Sequence, residues 1–230
     1  MKIENGKLKE IVLHSNDSFE HVFVNEPEVN LHIVQESGSR VKIHVINMES
    51  SAISPQHSDI ANKIVVEQAG EGCETEIYGL AYLKGEERVT TETHVYHTVG
   101  GGKSSQLIKF VLEDQSRGRF IGDLKIAPDA QQVEAHQTNR NLVLSDEAEM
   151  RTQPQLEIYA DDVKASHGAS TGQLDEAAMF YMQQRGIGKE KARQLLVNAF
   201  MKEVIEAISP QHSVVRDQLL NTVDGVVEQC

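Results

Sequence analysis

Residues 154–169 read PQLEIYADDVKASHGA, and the first half of this stretch has the pattern of a β-strand. Leu156, Ile158 and Ala160 alternate with polar or aromatic neighbours. Successive side chains of a strand point to opposite faces, so this period of two predicts a strand with one buried face. The same alternation occurs far upstream, in VKIHVI at residues 41–46.

Working outward from these two stretches, the sequence predicts many short strands from about residue 8 to residue 165. Turn signals separate them at Ser37-Gly38-Ser39, Gly70-Glu71-Gly72, Gly100-Gly101-Gly102 and Pro128-Asp129. An all-β sandwich, a closed barrel and a β-helix all fit this pattern. Even spacing of polar strands, with no long hydrophobic strand among them, favours a solenoid, although no repeat of fixed period is visible.

The pattern changes to helices at about Thr171. Asp175 is suited to cap a first helix, and Gly186 is suited to the position after its end. A second helix is predicted from Lys189 to Ile208. Its apolar stripe consists of Ala192, Leu195, Leu196, Ala199, Phe200, Val204 and Ile208.

A third helix is predicted after Ser209-Pro210, with an apolar stripe that Gly225 interrupts. Three short amphipathic helices must bury their apolar faces on each other, on the β-region or on a partner. We therefore divide the chain into a β-helix core domain, residues 1–170, and a C-terminal helical subdomain, residues 171–230.

Composition narrows the class of protein. The 230 residues carry a net charge of −13, and an acidic surface repels phosphate groups. We therefore expect neither a nucleic-acid partner nor an anionic membrane partner. The two cysteines, Cys73 and Cys230, cannot form a disulfide framework, and the N-terminus has no apolar signal segment. A cytoplasmic protein is the expectation.

Several candidate sites have a simpler structural interpretation. His94 and His97 are three residues apart, which places them on opposite faces of a strand and argues against a shared metal. Asp161-Asp162 is expected to be a solvated strand end. Gly100-Gly101-Gly102-Lys103-Ser104 lacks the spacing of a phosphate-binding loop, so a flexible turn is expected.

The remaining two candidates involve a hydroxyl and a thiol. Ser166 and His167 are sequence neighbours, and neighbours do not readily form a nucleophile–base pair. His167 follows a strand and precedes Gly168, so it could be exposed and available as a metal ligand. Cys73 alone cannot hold an iron–sulfur cluster, which usually needs four ligands.

The stretch quoted first, continued through Leu174-Asp175, Phe180-Tyr181 and Arg185-Gly186-Ile187, resembles the hallmark segment of the SufB/SufD family of iron–sulfur cluster assembly proteins. The resemblance is closer to the SufD branch. It extends upstream through Phe120-Ile121-Gly122 and Asn139–Asp146, and covers about residues 90–208. Because the chain begins almost directly in strands, we expect a short form of that branch.

The resemblance implies a right-handed parallel β-helix followed by a small C-terminal α-helical subdomain. It implies a non-enzymatic scaffold subunit that pairs through its β-helix with a SufB-like subunit or with itself. It implies that the C-terminal helices dock an ABC-type ATPase, SufC. The helices from Asp175 to Ile208 would then form the docking surface. The residues expected to bind that partner are Asp175, Phe180, Tyr181, Arg185 and Gly186.

The resemblance also identifies His167 as the residue near the pairing interface that is implicated in cluster assembly, and thus as a candidate iron–sulfur ligand. Many relatives have a cysteine where this chain has Ala165. We therefore expect no stably bound cofactor, and at most a transient iron–sulfur cluster shared with a partner. Two alternatives remain open from the sequence: a β-helix carbohydrate-active enzyme, and a purely structural pairing module without metal.

Overall fold

The structure is a computed structural model that describes residues 8–48 and 59–225. The described residues form twelve β-strands followed by three α-helices. The strands are β1 Lys9–Leu13, β2 Ser18–Val24, β3 Glu28–Gln35, β4 Arg40–Met48, β5 Asp59–Gln68, β6 Glu74–Leu83, β7 Arg88–His97, β8 Lys103–Leu112, β9 Arg117–Ile126, β10 Val133–Val143, β11 Glu149–Ile158 and β12 Val163–Gly172. The helices are α1 Glu176–Gln184, α2 Lys189–Glu206 and α3 Ser213–Gly225, with a short 3-10 helix at Pro210–His212.

The strands build two parallel sheets. The odd-numbered strands form one sheet in the order β1-β3-β5-β7-β9-β11, and the even-numbered strands form the other in the order β12-β10-β8-β6-β4-β2. Consecutive strands thus alternate between the sheets, and each strand pairs in parallel with the strand two positions along the chain. This winding is a parallel β-solenoid, so the expected β-helix is confirmed and the sandwich is excluded.

The strand register explains why the sequence shows no regular repeat. Ile64 pairs with Thr93 and Thr93 pairs with Gly122, a spacing of 29 residues. Gly122 pairs with Pro154, a spacing of 32 residues, whereas Lys9 pairs with Leu31, a spacing of only 22. Loops of unequal length therefore conceal the period of the solenoid.

The main core lies between the two sheets and consists largely of Val, Ile and Leu. Ile33, Ile43, Ile64, Phe120 and Leu124 are all inaccessible to solvent. Burying one such side chain stabilises the fold by about 1.5–3 kcal/mol. Successive side chains of a strand point to opposite faces, so every second side chain points out of the solenoid. These outward-facing side chains are either covered by helices or exposed.

The helices cover part of the outer face of the even-numbered sheet. There α2 packs on β6 and β8 and also against α3. This second core contains Ile46, Met48, Leu80, Tyr82, Val111, Val197, Met201, Val204, Ile205, Ile208, Leu219 and Val223. Part of the apolar surface that could have served a partner is therefore used within the chain.

The predicted apolar stripe of α2 is partly wrong. Ala192, Val204 and Ile208 are buried as expected, but Leu195 and Ala199 are exposed. The buried face is instead completed by residues outside the stripe, notably Val197, Met201 and Ile205. The physical reason is that α2 contacts the sheet on one side and α3 on the other, which rotates its buried face. Most of the apolar face of α2 is thus buried within the chain, while the docking of a partner by α2 stays a prediction.

A buried ion pair fixes α2 to the sheet. Lys109 lies on the outer side of β8, under the helix, and its ammonium group pairs with the half-exposed Glu203 carboxylate. The same ammonium donates to the Phe200 carbonyl oxygen over 2.7 Å and lies 4.3 Å from the centre of the Phe200 ring. Burial lowers the pKa of Lys109, and the carboxylate of Glu203 opposes that shift.

A second polar contact holds the chain after α2. The Glu20 carboxylate accepts hydrogen bonds from the Ser209 backbone N–H and the Gln211 side chain. Burial raises the pKa of Glu20, but these hydrogen bonds outweigh burial and the net direction is downward. Strand β12 ends at Gly172 and α1 begins at Glu176, while the division into two domains stays a prediction. Across residues 8–48 and 59–225, the helices are all too short or too polar to span a membrane.

We expect the loss of Glu203 to destabilise the fold more than the loss of Lys109. Glu203→Ala should destabilise the fold by roughly 1–3 kcal/mol, because it leaves a buried ammonium group without its carboxylate. Lys109→Met should cost less, since Glu203 is half exposed, can hydrate, and still lies 3.6 Å from Arg140. Urea unfolding measures both, with the exposed Glu206→Ala on the same helix as control. Equal losses for Glu203→Ala and Glu206→Ala would contradict the argument.

Candidate functional site at the open end of the solenoid

The solenoid ends in two strands with one free edge each. β11 pairs only with β9, and β12 pairs only with β10. Within the described part of the chain, no strand covers either edge. A free edge presents unpaired backbone N–H and C=O groups, so it is a ready surface for another β-structure. Most of β12 is exposed to solvent.

His167 lies on this terminal strand and is exposed. It pairs in register with Gln137 of β10, which pairs in turn with Gln106 of β8. Both glutamines are buried, and the Gln137 side-chain amide donates to the Gln106 side-chain oxygen over 3.4 Å. His167 therefore ends a polar interior column, at a position that one more turn of solenoid would cover. The residue is exposed as expected, but it lies inside β12 and not after a strand, because pairing with β10 extends the strand to Gly172.

Ser166 has a partner that the sequence did not reveal. Its hydroxyl lies 2.8 Å from Nδ1 of His136, the residue that it opposes on β10. The two are 30 residues apart, so only the strand register brings them together. No carboxylate of the described residues forms an ion pair with His136. The Ser166–His136 pair therefore lacks the third group that would orient a catalytic base.

A complete metal site is not formed by this chain within its described ranges. There, three or more His, Cys, Asp or Glu side chains do not converge in a manner that could hold a metal ion. Ala165, in the place of the family cysteine, is half-buried against the core. His167 is thus a single potential ligand, and a cluster would need further ligands from elsewhere.

His94 and His97 occupy opposite faces of β7, as the sequence predicts. His94 is outward-facing, within 3.7 Å of Glu92 and 3.6 Å of Asp123. His97 is buried inside the solenoid, where Nε2 lies 2.9 Å from the Ser104 hydroxyl. Burial lowers the pKa of His97 to about 4. Its imidazole is therefore neutral near pH 7, and its place on the inner face of β7 keeps it from sharing a metal with the outward-facing His94.

His97 belongs to a second buried polar column. Gln35, Gln68 and His97 pair in register on β3, β5 and β7, and all three are buried. The Gln68 amide donates to the Thr75 hydroxyl over 2.8 Å, and Thr75 donates to the Gln35 side-chain oxygen over 2.6 Å. The column ties the two sheets together by hydrogen bonds inside the core.

Cys73 lies at the turn below this column and is buried. Its thiol lies 3.1 Å from the Glu36 carbonyl oxygen and 3.2 Å from the Gly70 carbonyl oxygen. These are contacts of a thiol that fills a tight turn, with no second cysteine beside it among the described residues. Cys230 lies outside the described residues.

The other sequence candidates fall on turns. Gly101 has a positive φ of 73°, which favours glycine, and strand β8 begins two residues later. A strand and not a helix follows this turn, as expected, so no helix N-terminus among the described residues faces the turn to bind a phosphate. Asp161 and Asp162 are both exposed in a bend after β11, as expected for a solvated strand end.

The residues expected to bind an ATPase all lie on or beside α1. Asp175 caps the helix by accepting from the Ala177 and Ala178 backbone N–H groups, and Gly186 follows its end with a φ of 82°. Phe180 and Tyr181 are 63% and 59% exposed. Arg185 lies over the Tyr181 ring and donates to its hydroxyl over 2.7 Å. No residue of α1 is buried, so this helix has a free aromatic face.

The carbohydrate-active alternative requires two carboxylates roughly 5–10 Å apart across a groove. A groove on the odd-numbered sheet does contain Asp59 and Glu149. The register places them three strand spacings apart, or about 14 Å, with Arg88 and Arg117 between them. This groove therefore does not have the geometry of a glycosidase.

The fold and this exposed terminal strand define a parallel β-solenoid with an attached helical segment. Residues 5–200 match the family described as "SUF system FeS cluster assembly, SufBD core domain". The chain is 40% identical over 139 residues to the iron–sulfur cluster assembly protein SufD of Escherichia coli, a match that covers 60% of this chain and 33% of that protein.

Two longer matches cover almost the whole chain. An iron–sulfur cluster assembly SufBD family protein of Synechocystis sp. is 31% identical over 98% of this chain and 48% of its own length. The chloroplastic protein ABCI7 of Arabidopsis thaliana is 31% identical over 95% of this chain and 46% of its own length. The chain belongs to the SufBD family. It spans between a third and about half of the length of these relatives.

The burial of His97 predicts a pH dependence of stability. The unfolded imidazole takes up a proton near pH 6.5, whereas the folded one resists protonation down to about pH 4. Stability is therefore complete above about pH 6.5 and falls as the pH decreases towards 4, by up to about 1.4 kcal/mol per pH unit. His97→Gln, which extends the glutamine column, should reduce this slope.

Urea unfolding at pH 7, 6 and 5 measures the slope for each variant. His14→Gln is the control, because the His14 side chain is 74% exposed. A His44 contribution remains in both variants, since burial also lowers the pKa of His44 to about 4. A slope that is the same in His97→Gln as in the wild type would contradict the assignment.

Proposed function

We propose that this chain is a scaffold subunit of a SUF-type iron–sulfur cluster assembly complex, and not an enzyme by itself. The observation that carries the proposal is the exposed position of His167 on the uncovered last strand of the solenoid. Membership in the SufBD family supports it, as do the names of relatives, which describe assembly proteins.

In this proposal the free edges of β11 and β12 form the pairing surface for a SufB-like subunit or a second copy. A partner strand would satisfy the unpaired backbone groups of both edges. It would also cover His167 and could place its own ligands beside the imidazole. Because Ala165 provides no thiolate, the soft ligands of a transient cluster come from the partner.

The proposed ATPase-docking surface is α1 alone rather than the whole span from Asp175 to Ile208. The apolar face of α2 is already occupied by the solenoid and α3, while Phe180 and Tyr181 are free. Aromatic and arginine side chains frequently dominate the energy of protein interfaces. The Arg185 contact with Tyr181 holds that ring in place, which lowers the entropy lost on binding.

The ligand role of His167 is tested in a reconstituted mixture of this chain, a SufB-like subunit and a SufC-type ATPase. Loss of an outer-shell partner alone costs about 10–100-fold in metal affinity. His167→Ala should therefore lower the yield of assembled cluster, followed by visible absorption, by at least about tenfold. The exposed His136→Ala on the neighbouring strand is the matched control.

Pairing is measured on the same samples by light scattering, so that ligand loss is distinguished from loss of the interface. If His167→Ala forms the complex and assembles clusters at the wild-type yield, the ligand role fails. A purely structural pairing module would then be the better description. If no complex forms with folded wild-type components, the scaffold proposal itself fails.

The docking role of α1 is tested with Phe180→Ser. Truncating a central aromatic residue of an interface typically costs 2 kcal/mol or more, about a 30-fold loss of affinity. We expect a loss of about that size in binding to a SufC-type ATPase, measured by calorimetry. Val214→Ser on α3 is the control, because Val214 is 71% exposed and lies on another helix. Equal affinities for the two variants would refute docking through α1.

A further inference from the structure

A groove of about 320 Å³ lies on the outer face of the odd-numbered sheet, where β5, β7, β9 and β11 begin. It is on the sheet opposite to the one that carries His167 and the helices. Four of its lining residues are arginines: Arg88, Arg117, Arg119 and Arg151. In a chain with a net charge of −13, this concentration of positive charge is unusual.

Strand register arranges the groove as two rows of side chains on one face. The first row is Asp59, Arg88, Arg117 and Glu149, and the second row is Ala61, Thr90, Arg119 and Arg151. Each row contains two arginines on adjacent strands. Like charges directly opposite each other on neighbouring strands destabilise a sheet.

The other sheet shows the arrangement that avoids this cost. The row at its strand starts is Arg40, Glu74, Lys103, Glu134 and Lys164, with strictly alternating charge. Arg40 pairs with Glu74 at 3.0 Å, and Lys164 pairs with Glu134 at 2.7 Å. The groove departs from this alternation of charge. Positions that break such a local rule of sheet stability are typically functional.

Among the described residues, two of the four arginines have no carboxylate as an ion-pair partner. Arg151 pairs with Glu149 at 2.7 Å, and Arg88 lies 4.0 Å from Asp59. Arg117 and Arg119 form no ion pair with any residue in the described ranges. Arg119 donates only to the neutral Gln153 side chain, over 3.1 Å. Both arginines face the groove from the same strand, two residues apart.

The spacing of the four arginines suits a small polyanion. Adjacent strands lie about 4.8 Å apart and alternate residues about 6.7 Å apart, so the four side chains start from an area about 9.6 Å wide, across three strands, and about 6.7 Å long. A guanidinium group binds phosphate through two parallel hydrogen bonds, which its planar fork matches. The groove volume is at the lower end of the range for small-molecule sites.

We propose that this groove binds a compact phosphate-bearing anion through Arg117 and Arg119, with Arg88 and Arg151 beside them. Asp59 and Glu149 close the first row at both ends and would repel a longer acidic chain. The ligand is therefore a small molecule and not an acidic peptide. Arg117 and Arg119 lie on β9, one strand inside the free edge of β11, and the proposal does not rest on the scaffold role.

Inorganic pyrophosphate is the test probe, added to the full chain at constant ionic strength because salt screens exposed charges. Binding is measured by calorimetry and by the shift of the thermal midpoint, which a ligand of the folded state raises. Arg117→Gln combined with Arg119→Gln should weaken binding at least tenfold. Without ligand, this double variant should be at least as stable as the wild type, since repulsion is removed.

The matched control is Arg40→Gln combined with Lys103→Gln, which removes two positive charges from strand starts of the other sheet. It should change pyrophosphate affinity less than twofold. If the two double variants weaken pyrophosphate binding equally, the effect depends on net charge alone and the proposed site is wrong. Citrate bound as tightly as pyrophosphate would overturn the assignment to phosphate, and no heat or thermal shift with the wild type would overturn the proposal outright.

Discussion

Parallel hydrogen bonding between strands of successive solenoid turns is the constraint on which the rest of this structure depends. Each inner strand satisfies its backbone groups on the turn before and the turn after, so its side chains stack on those of the neighbouring turns. Columns of side chains result, inside and outside. The same constraint leaves the last turn, β11 and β12, with an edge that no strand in residues 8–48 and 59–225 fills. Stacking therefore creates both the core and the proposed pairing surface.

Stacking also places polar residues where an apolar core would be simpler. Gln35, Gln68 and His97 form one buried column, and Gln106 and Gln137 lead to His167 in another. A buried polar group is tolerated when it has a hydrogen-bond partner, and Thr75 and Ser104 provide two of them. The first column joins the two sheets with directional contacts, and it makes stability sensitive to protonation of His97.

Local signals in the sequence were sufficient for much of the architecture. Strand alternation, the Asp175 cap and Gly186 after α1 all follow from the chemistry of neighbouring residues, and the structure agrees with each. The β-helix required the family resemblance, because the spacing between turns varies from 22 to 32 residues over the pairs Lys9–Leu31 and Gly122–Pro154. The buried face of α2 could not be predicted, since it depends on the simultaneous contacts with the sheet and α3.

The sequence by itself determined which segments are strands and helices, and it pointed to His167 and the aromatic face of α1. Only the tertiary structure decided which distant residues meet. His136 meets Ser166 from 30 residues away, Arg88 lies beside Arg117, and Lys109 meets Glu203 across a helix–sheet interface. The physical reason is that strand register and helix docking are set by the packing of the whole solenoid, whereas propensity and capping act within a few residues.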